Sequence, residues 1–314
     1  MKYRGDLFAV IEEFPVMTVA TTIREGIFGF ETVGMASRNL SARTRAEYRR
    51  DLEDLATFLE GRGLHRLGDV GLNHLEHYQA EMDSRGYAPA TRRRKTQSIK
   101  AFFGFLEHQA ILQTDVATRL PLPRQPKREP RFLSEREYKD LLRVCSHHPR
   151  DAAMLELFLQ TGMRLSELAG LTIGDLEMPT KPTPDPDNVG YARVRRKGGK
   201  VETIPLNYKA CKALRTYLAL RPVCDHDTVW VSKFKTPMGK RAIQATVAKY
   251  LREARIEGAS VHSLRHTMAT HHVARGTDLK TVQETLGHAD LATTALYVSL
   301  ARKAQRKALQ DHAL

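Results

Sequence analysis

Apolar residues recur at helical spacing from Ser41 onward. In "SARTRAEYRRDLEDLATFLEGRG", Tyr48, Leu52, Leu55 and Leu59 fall at i, i+4, i+7 and i+11, which places them in one stripe along a helix. Gly61 and Gly63 follow and end it, as glycine does where a chain leaves helical geometry. The pattern predicts a second helix in "VGLNHLEHYQAEMDSRG" and a third in "APATRRRKTQSIKAFFGFLEHQ", whose inward face is Ile99, Phe102, Phe103 and Leu106. Residues 1 to about 36 mix β-branched and aromatic residues without a sustained helical period, and predict a packing arm with no assignable role. The segment "TRLPLPRQPKREPR", 118–131, holds four prolines and five arginines or lysines, a composition that favours an extended linker.

Beyond the linker, Ser134 with Glu137 three residues on forms a capping box in "LSEREYKDLL" and starts a new folding unit. Further helical stretches are "AAMLELFLQTG", "KALRTYLAL" and "AIQATVAKYLREA", interrupted by "VGYARVRRKGGKVETIPL". There Val194, Val201 and Ile204 flank Gly198 and Gly199, the arrangement of a β-hairpin with a tight turn. The proline-spaced "MPTKPTPDPDN" reads as a loop. The expected architecture is mainly α with a small β-sheet. Residues 37–117 form a helical domain, 118–131 a linker, 132–300 a second domain and 301–314 a tail.

Composition narrows the partners. Over 314 residues, 50 lysines and arginines outweigh 36 acidic residues, a formal charge of +14, which favours a polyanion through phosphate contacts and counterion release. Nucleic acid is the first expectation and an anionic membrane surface the second. No apolar run approaches the roughly 20 residues that span a bilayer, and Glu12 and Glu13 break the apolar stretch near the start, unlike a secretory signal. These features predict an intracellular, cytoplasmic protein. Cys145, Cys211 and Cys224 are too few and scattered for a disulfide framework or a cysteine-rich zinc site, so reduced thiols are expected.

Several short stretches hold residues suited to chemistry. In "QTGMRLSELAGL", Arg164 and Glu167 are three apart, close enough on a helix for the carboxylate to hold the guanidinium; a surface ion pair explains this equally well. The hairpin turn holds Lys197 and Lys200, and "VHSLRHTMATHH" holds His262, Arg265, His266, His271 and His272. A zinc ion wants about four suitable ligands, and no HExxH pattern or cysteine pair completes a set here, so no metal and no cofactor is expected. In "ETLGHADLATTALYVSL", a helix ends at Gly287, His288 follows, and Tyr297 comes nine residues after it. Arg92, Arg93, Arg94 and Lys95 lead the third helix; such a run is ordinarily solvated, and in so basic a chain it is a candidate DNA contact.

In combination and order these pieces resemble the tyrosine recombinase family, also called the phage integrase family, with the Xer recombinases and mobile-element integrases nearest in layout. The likeness runs from about Ser41 to Leu300. It implies an N-terminal SAM-like, core-binding domain and a C-terminal catalytic domain that clamp duplex DNA, with four protomers assembling on two sites. By that resemblance Arg164, Lys197, His262, Arg265 and His288 match the active-site set, Glu167 its acidic support and Tyr297 its nucleophile. The family often has Gly-Lys-Gly at the hairpin, where this chain has "RRKGGK", so Lys200 is a second candidate for the lysine's role.

The set makes chemical sense. Planar guanidinium forks match the non-bridging oxygens of a phosphodiester, and preorganised donors are worth roughly 3 to 4 kcal/mol each toward a transition state. A phenol with a pKa of about 10 needs a base at neutral pH, a role that suits His262. The resemblance implies a 3′-phosphotyrosyl link and a free 5′ hydroxyl, with Lys197 protonating the leaving oxygen and no ATP required. Two other readings stay open: a type IB topoisomerase that religates the original strand, and a DNA-binding regulator that keeps the fold without the reaction.

Overall fold

The structure is a computed structural model, and it describes residues 21–38, 40–125, 129–196, 199–287 and 297–302. Of the expected tail, 301–314, residues 303–314 lie outside the described residues. Contacts divide the chain into two compact units, Met1–Arg128 and Glu129–Leu314.

The first unit is helical. It begins with α1 (Ile23–Gly29), a π-helical stretch (Phe30–Gly34) and α2 (Met35–Ser37), running on without a break. Thr22 and Glu25 close a capping box at its start. Ile23, Ile27, Phe30 and Met35 are all buried, so this stretch packs into the core as an arm should, but as helix where the sequence showed no sustained helical period. The reason is local: the Met35 N–H reaches back five residues to the Phe30 carbonyl, and the wider turn displaces the inward positions from a 3.6-residue period.

Helix α3 (Ala42–Glu60) starts at Ser41, whose hydroxyl accepts from the Thr44 N–H. Its Leu52, Leu55 and Leu59 are buried against α4 (Leu72–Ser84) and α5 (Pro89–His108), with Phe102, Phe103 and Leu106 supplied by α5. Part of the expected linker also belongs to this unit. Leu120 is buried, Lys100 Nζ donates to the carbonyls of Ala117, Thr118 and Leu120 at 2.7, 2.8 and 3.0 Å, and Gln79 donates to the Pro121 carbonyl at 2.8 Å. Proline content signalled extension there; it carried no trace of the lysine that satisfies those carbonyls.

The second unit packs α6 (Glu135–Cys145), α7 (Pro149–Thr161), α8 (Leu165–Ala169), α9 (Tyr208–Leu218), α10 (Lys240–Glu253), α11 (Val261–Ala274) and α12 (Leu279–Leu286) with one small sheet. The Ser134–Glu137 capping box is present at α6. The sheet is antiparallel in the order β1 (Leu176–Glu177), β2 (Gly190–Arg195), β3 (Val201–Leu206), and Arg195 opposite Val201 closes the hairpin. Ala192, Val194, Ile204 and Leu206 face the core. Helix α7 is buried on most sides, from Ala153 through Leu159, which makes it the centre of the unit. The single tryptophan, Trp230, stacks on Tyr217 at 5.6 Å and donates to the Leu168 carbonyl at 2.8 Å. Among the described residues, no helix is long and apolar enough to cross a membrane.

Candidate active site

The site is built where α7, α8, α11 and α12 converge. Helix α7 ends at Gly162, which takes the left-handed conformation with φ 63°. A Cβ at this position would lie 2.8 Å from Leu286 and 3.0 Å from Met268, so glycine serves both the turn and the close approach of α11 and α12. Two residues later Arg164, with extended backbone, is the N-cap of α8. Glu167 holds it twice: one carboxylate oxygen accepts from the Arg164 backbone N–H at 2.8 Å, the other from Nη1 at 2.7 Å. The expected i,i+3 pair therefore orients main chain and side chain together, and Glu167 is buried beneath it.

Three guanidinium groups meet at the end of α12. Arg196 Nη2 donates to the Thr285 carbonyl at 3.0 Å, Arg265 Nη2 to the Leu286 carbonyl, and Arg164 Nη2 to the Gly287 carbonyl at 3.0 Å. The last carbonyls of a helix lack intrahelical partners and sit at its negative end, so each arginine gains an acceptor and a favourable field. Arg265 donates also to the Gly162 carbonyl and is almost fully buried. Burial, with Arg164 next in effect, pushes its pKa down to about 10. Against the three arginines stand two nearby carboxylates, Glu167 and Glu202, leaving 3 − 2 = +1 on this cluster.

Tyr297 is adjacent. It is fully buried in a cluster with Met268, Ala269, Val282, Leu286 and Leu300, and a hydrogen bond of 3.1 Å joins its hydroxyl to His266 Nδ1. Burial raises the phenol's pKa while Arg265 pulls it the other way. His266 is shifted down, by burial first and then by His262 and Arg265, which favours its neutral form. The expected base His262, one turn earlier on α11, is exposed; the residue turned inward to the phenol is His266, to which the sequence gave no role. His271 and His272 are engaged elsewhere, His271 with the distant Leu133 carbonyl at 2.9 Å and His272 with the nearby Thr277 Oγ1 at 3.2 Å.

Lys197 and His288 lie outside the described residues. Lys200 is exposed, with Nζ 3.2 Å from Glu202. The basic quartet of α5 is engaged within its own unit. Arg92 pairs with Asp83, Arg94 with Asp51, Lys95 with Asp54 and, at 3.5 Å, with Asp51, and Arg93 donates to the Pro123 carbonyl at 3.3 Å. Lys95 is 5% exposed, so it serves the interior and is withdrawn from any phosphate at the surface. Among the described residues, no three His, Cys, Asp or Glu side chains gather as a metal would need.

Residues 131–304 match the phage integrase family, and residues 31–110 match its N-terminal SAM-like domain. The chain belongs to the phage integrase family, the tyrosine recombinases. It is 32% identical over 275 residues to tyrosine recombinase XerC of Roseiflexus castenholzii, covering 84% of this chain and 85% of that one. With XerC of Shewanella amazonensis it shares 34% identity over 272 residues, 84% of this chain and 87% of that one. The fold is similar to that of XerH site-specific recombinase bound to a palindromic difH substrate, with a TM-score of 0.71 at 19% identity over 90% of this chain and 83% of that one. A lambda integrase dimer bound to a core site gives 0.70 at 16% identity, over 95% and 81%. The arginine cluster holds one residue that the reading of the sequence passed over. Arg196 stands where the family often has glycine, and that departure was its only signal.

Proposed function

We propose that this chain is a site-specific DNA recombinase that cuts and rejoins strands through a covalent 3′-phosphotyrosine. The observation that carries the reading is the convergence of Arg164 and Arg265 on the end of α12, beside Tyr297, in a cluster with positive charge to spare. Such forks suit the two non-bridging oxygens of a phosphodiester. The Tyr297 oxygen forms a bond to phosphorus as the bond from phosphorus to the 5′ oxygen breaks. The phenol's proton goes to His262, and the departing 5′ oxygen takes one from Lys197, with Lys200 as the alternative donor in the same turn. His288 donates a further hydrogen bond to the phosphate. A 5′ hydroxyl from another strand reverses the step, because the phosphotyrosyl bond keeps the phosphodiester energy.

In the resting chain the phenol is buried on His266, so cleavage requires that this contact be given up as DNA is engaged. The reading takes duplex recombination sites as partners, with four protomers on two paired sites, and the leading end of α5 as a phosphate contact through Arg93 and Arg94. The biological task is integration and excision of a mobile element or Xer-type resolution. A plasmid carrying two copies of the bound site tests the function: recombination between the copies supports it, whereas relaxation of any supercoiled plasmid without exchange is the outcome for a type IB topoisomerase. Within the same assay Lys197→Ala is expected to slow cleavage far more than Lys200→Ala.

A further inference from the structure

Arg196 is the one arginine of the cluster that stands on the hairpin. Its side chain is 7% exposed, yet it does not lie among apolar groups alone. Nη2 reaches the Thr285 carbonyl on α12 at 3.0 Å, and Nε lies 2.9 Å from Glu202 and 4.0 Å from Glu167. The contact with Glu202 is close enough for an ion pair but not aligned as a hydrogen bond, and Nη1 has no hydrogen-bond partner among the described residues. Burying a guanidinium so incompletely satisfied is costly, which points to a task beyond stability.

Two further features fix this side chain in place. A Cβ at Gly287 would fall 1.1 Å from Arg196 Nη1, so the guanidinium occupies the space that any side chain at 287 would need. At the other end, the Arg196 N–H donates to the Lys200 carbonyl at 2.8 Å and the Gly199 N–H to the Arg196 carbonyl at 3.2 Å. The backbone of Arg196 thus closes the hairpin turn in which both candidate lysines stand, while its side chain grips the end of the helix whose carbonyls hold Arg164 and Arg265.

We propose that Arg196 is a positioning residue that ties the β2–β3 turn to the C-terminal carbonyls of α12, so that the lysine of the turn meets the phosphate held by the arginine pair. The inference rests on the proposed reading that a lysine of this turn protonates the leaving 5′ oxygen. Without the tie, the arginines still bind phosphate and the tyrosine still attacks, but the proton arrives poorly placed.

A leaving group that needs no proton separates this role from a general loss of structure. The probe is a nicked duplex carrying the site that the Tyr297→Phe chain selects from random DNA, made with the ordinary 5′ oxygen or with 5′ bridging sulfur at the scissile phosphate. Single-turnover cleavage by Arg196→Gln is expected to fall roughly 10- to 100-fold on oxygen, within the range that general acids supply, and to stay within about 3-fold of the native chain on sulfur, where the proton is not required. Arg196→Lys, which keeps the charge near Glu202, is expected to recover part of the loss. Should Arg196→Gln lose its native tryptophan signal, Glu202→Gln is scored in the same way and is expected to show a smaller defect confined to oxygen. Equal slowing on both substrates, or no slowing on either, overturns the proposal. Lys197→Ala and Lys200→Ala are run alongside: if one of them is rescued by sulfur and Arg196→Gln is not, the positioning role alone falls. If neither is rescued, the lysine reading falls and takes the proposal with it.

Discussion

Replacing Glu167 with glutamine removes one negative charge from beneath the arginines while keeping the side chain's shape. Its Oε1 lies 2.7 Å from Arg164 Nη1 and 4.0 Å from Arg196 Nε. At an effective dielectric near 20, separations of this size correspond to about 6 and about 4 kcal/mol of direct attraction. Most of that is offset by desolvation already incurred, and breaking a buried pair typically costs about 3–5 kcal/mol. Arg164 is 39% exposed and regains water when its partner is lost, which brings the cost to the bottom of that range or below it, and we expect a loss of about 2–3 kcal/mol. For a unit of 186 residues (129 through 314), that corresponds to a melting shift of roughly 5–10 °C. The assay is thermal unfolding followed by the fluorescence of Trp230, the only tryptophan, whose indole is bonded to Leu168 beside the mutated residue. Sulfate added at constant ionic strength is expected to narrow the gap between Glu167→Gln and the native chain, since an anion among the arginines replaces the missing charge. An unchanged midpoint, or a gap that sulfate leaves the same, refutes the view that this carboxylate holds the arginines in a pocket short of negative charge.

The stability of the second unit is expected to fall with acid. The pKa values of His266 and His271 are lowered in the folded chain, chiefly by burial, so below about pH 6.5 the unfolded chain binds more protons and the unfolding free energy drops, by at most about 1.4 kcal/mol per pH unit for each histidine. His271→Gln should flatten that slope in urea titrations between pH 7.5 and 5; an unaltered slope counts against it. Lys95→Ala is expected to destabilise the first unit by about 2 kcal/mol through loss of the buried ammonium between Asp51 and Asp54, with Asp51 keeping Arg94 and Ser98, while leaving the salt dependence of DNA binding unchanged. Arg93→Ala, by contrast, should weaken binding with little effect on stability and reduce the salt slope by about 1; a binding defect confined to Lys95→Ala reverses the assignment.

What the sequence disclosed was local. The stripe of Leu52, Leu55 and Leu59, the Ser134–Glu137 cap, the hairpin, the Gly287 stop and the Arg164–Glu167 pair all depend on residues within a turn or two of one another. Hidden from it was whatever depends on distant partners or unusual backbone. The π-helical turn after Gly29 erased the period that would have announced a helix. The basic run of α5 appeared free because Asp51 and Asp54, which hold it, stand about forty residues earlier on another helix. The meeting of Arg164, Arg196 and Arg265 on three successive carbonyls joins residues as far as 123 positions apart, and no spacing rule anticipates it. The motif singled out His262 and gave His266 no role; the packing of α11, which the sequence does not disclose, turns His266 to the tyrosine and leaves His262 exposed.

The central claim is that Tyr297 becomes covalently joined to DNA. The direct measurement is mass spectrometry of the chain after reaction with a nicked suicide duplex carrying its selected site, in which the downstream 5′ fragment diffuses away and traps the intermediate. The account predicts a peptide spanning Tyr297 that carries a 3′-linked nucleotide on the phenol, and no adduct from a Tyr297→Phe chain that still binds the duplex. DNA bound with no covalent product, or an adduct on any other residue, contradicts it.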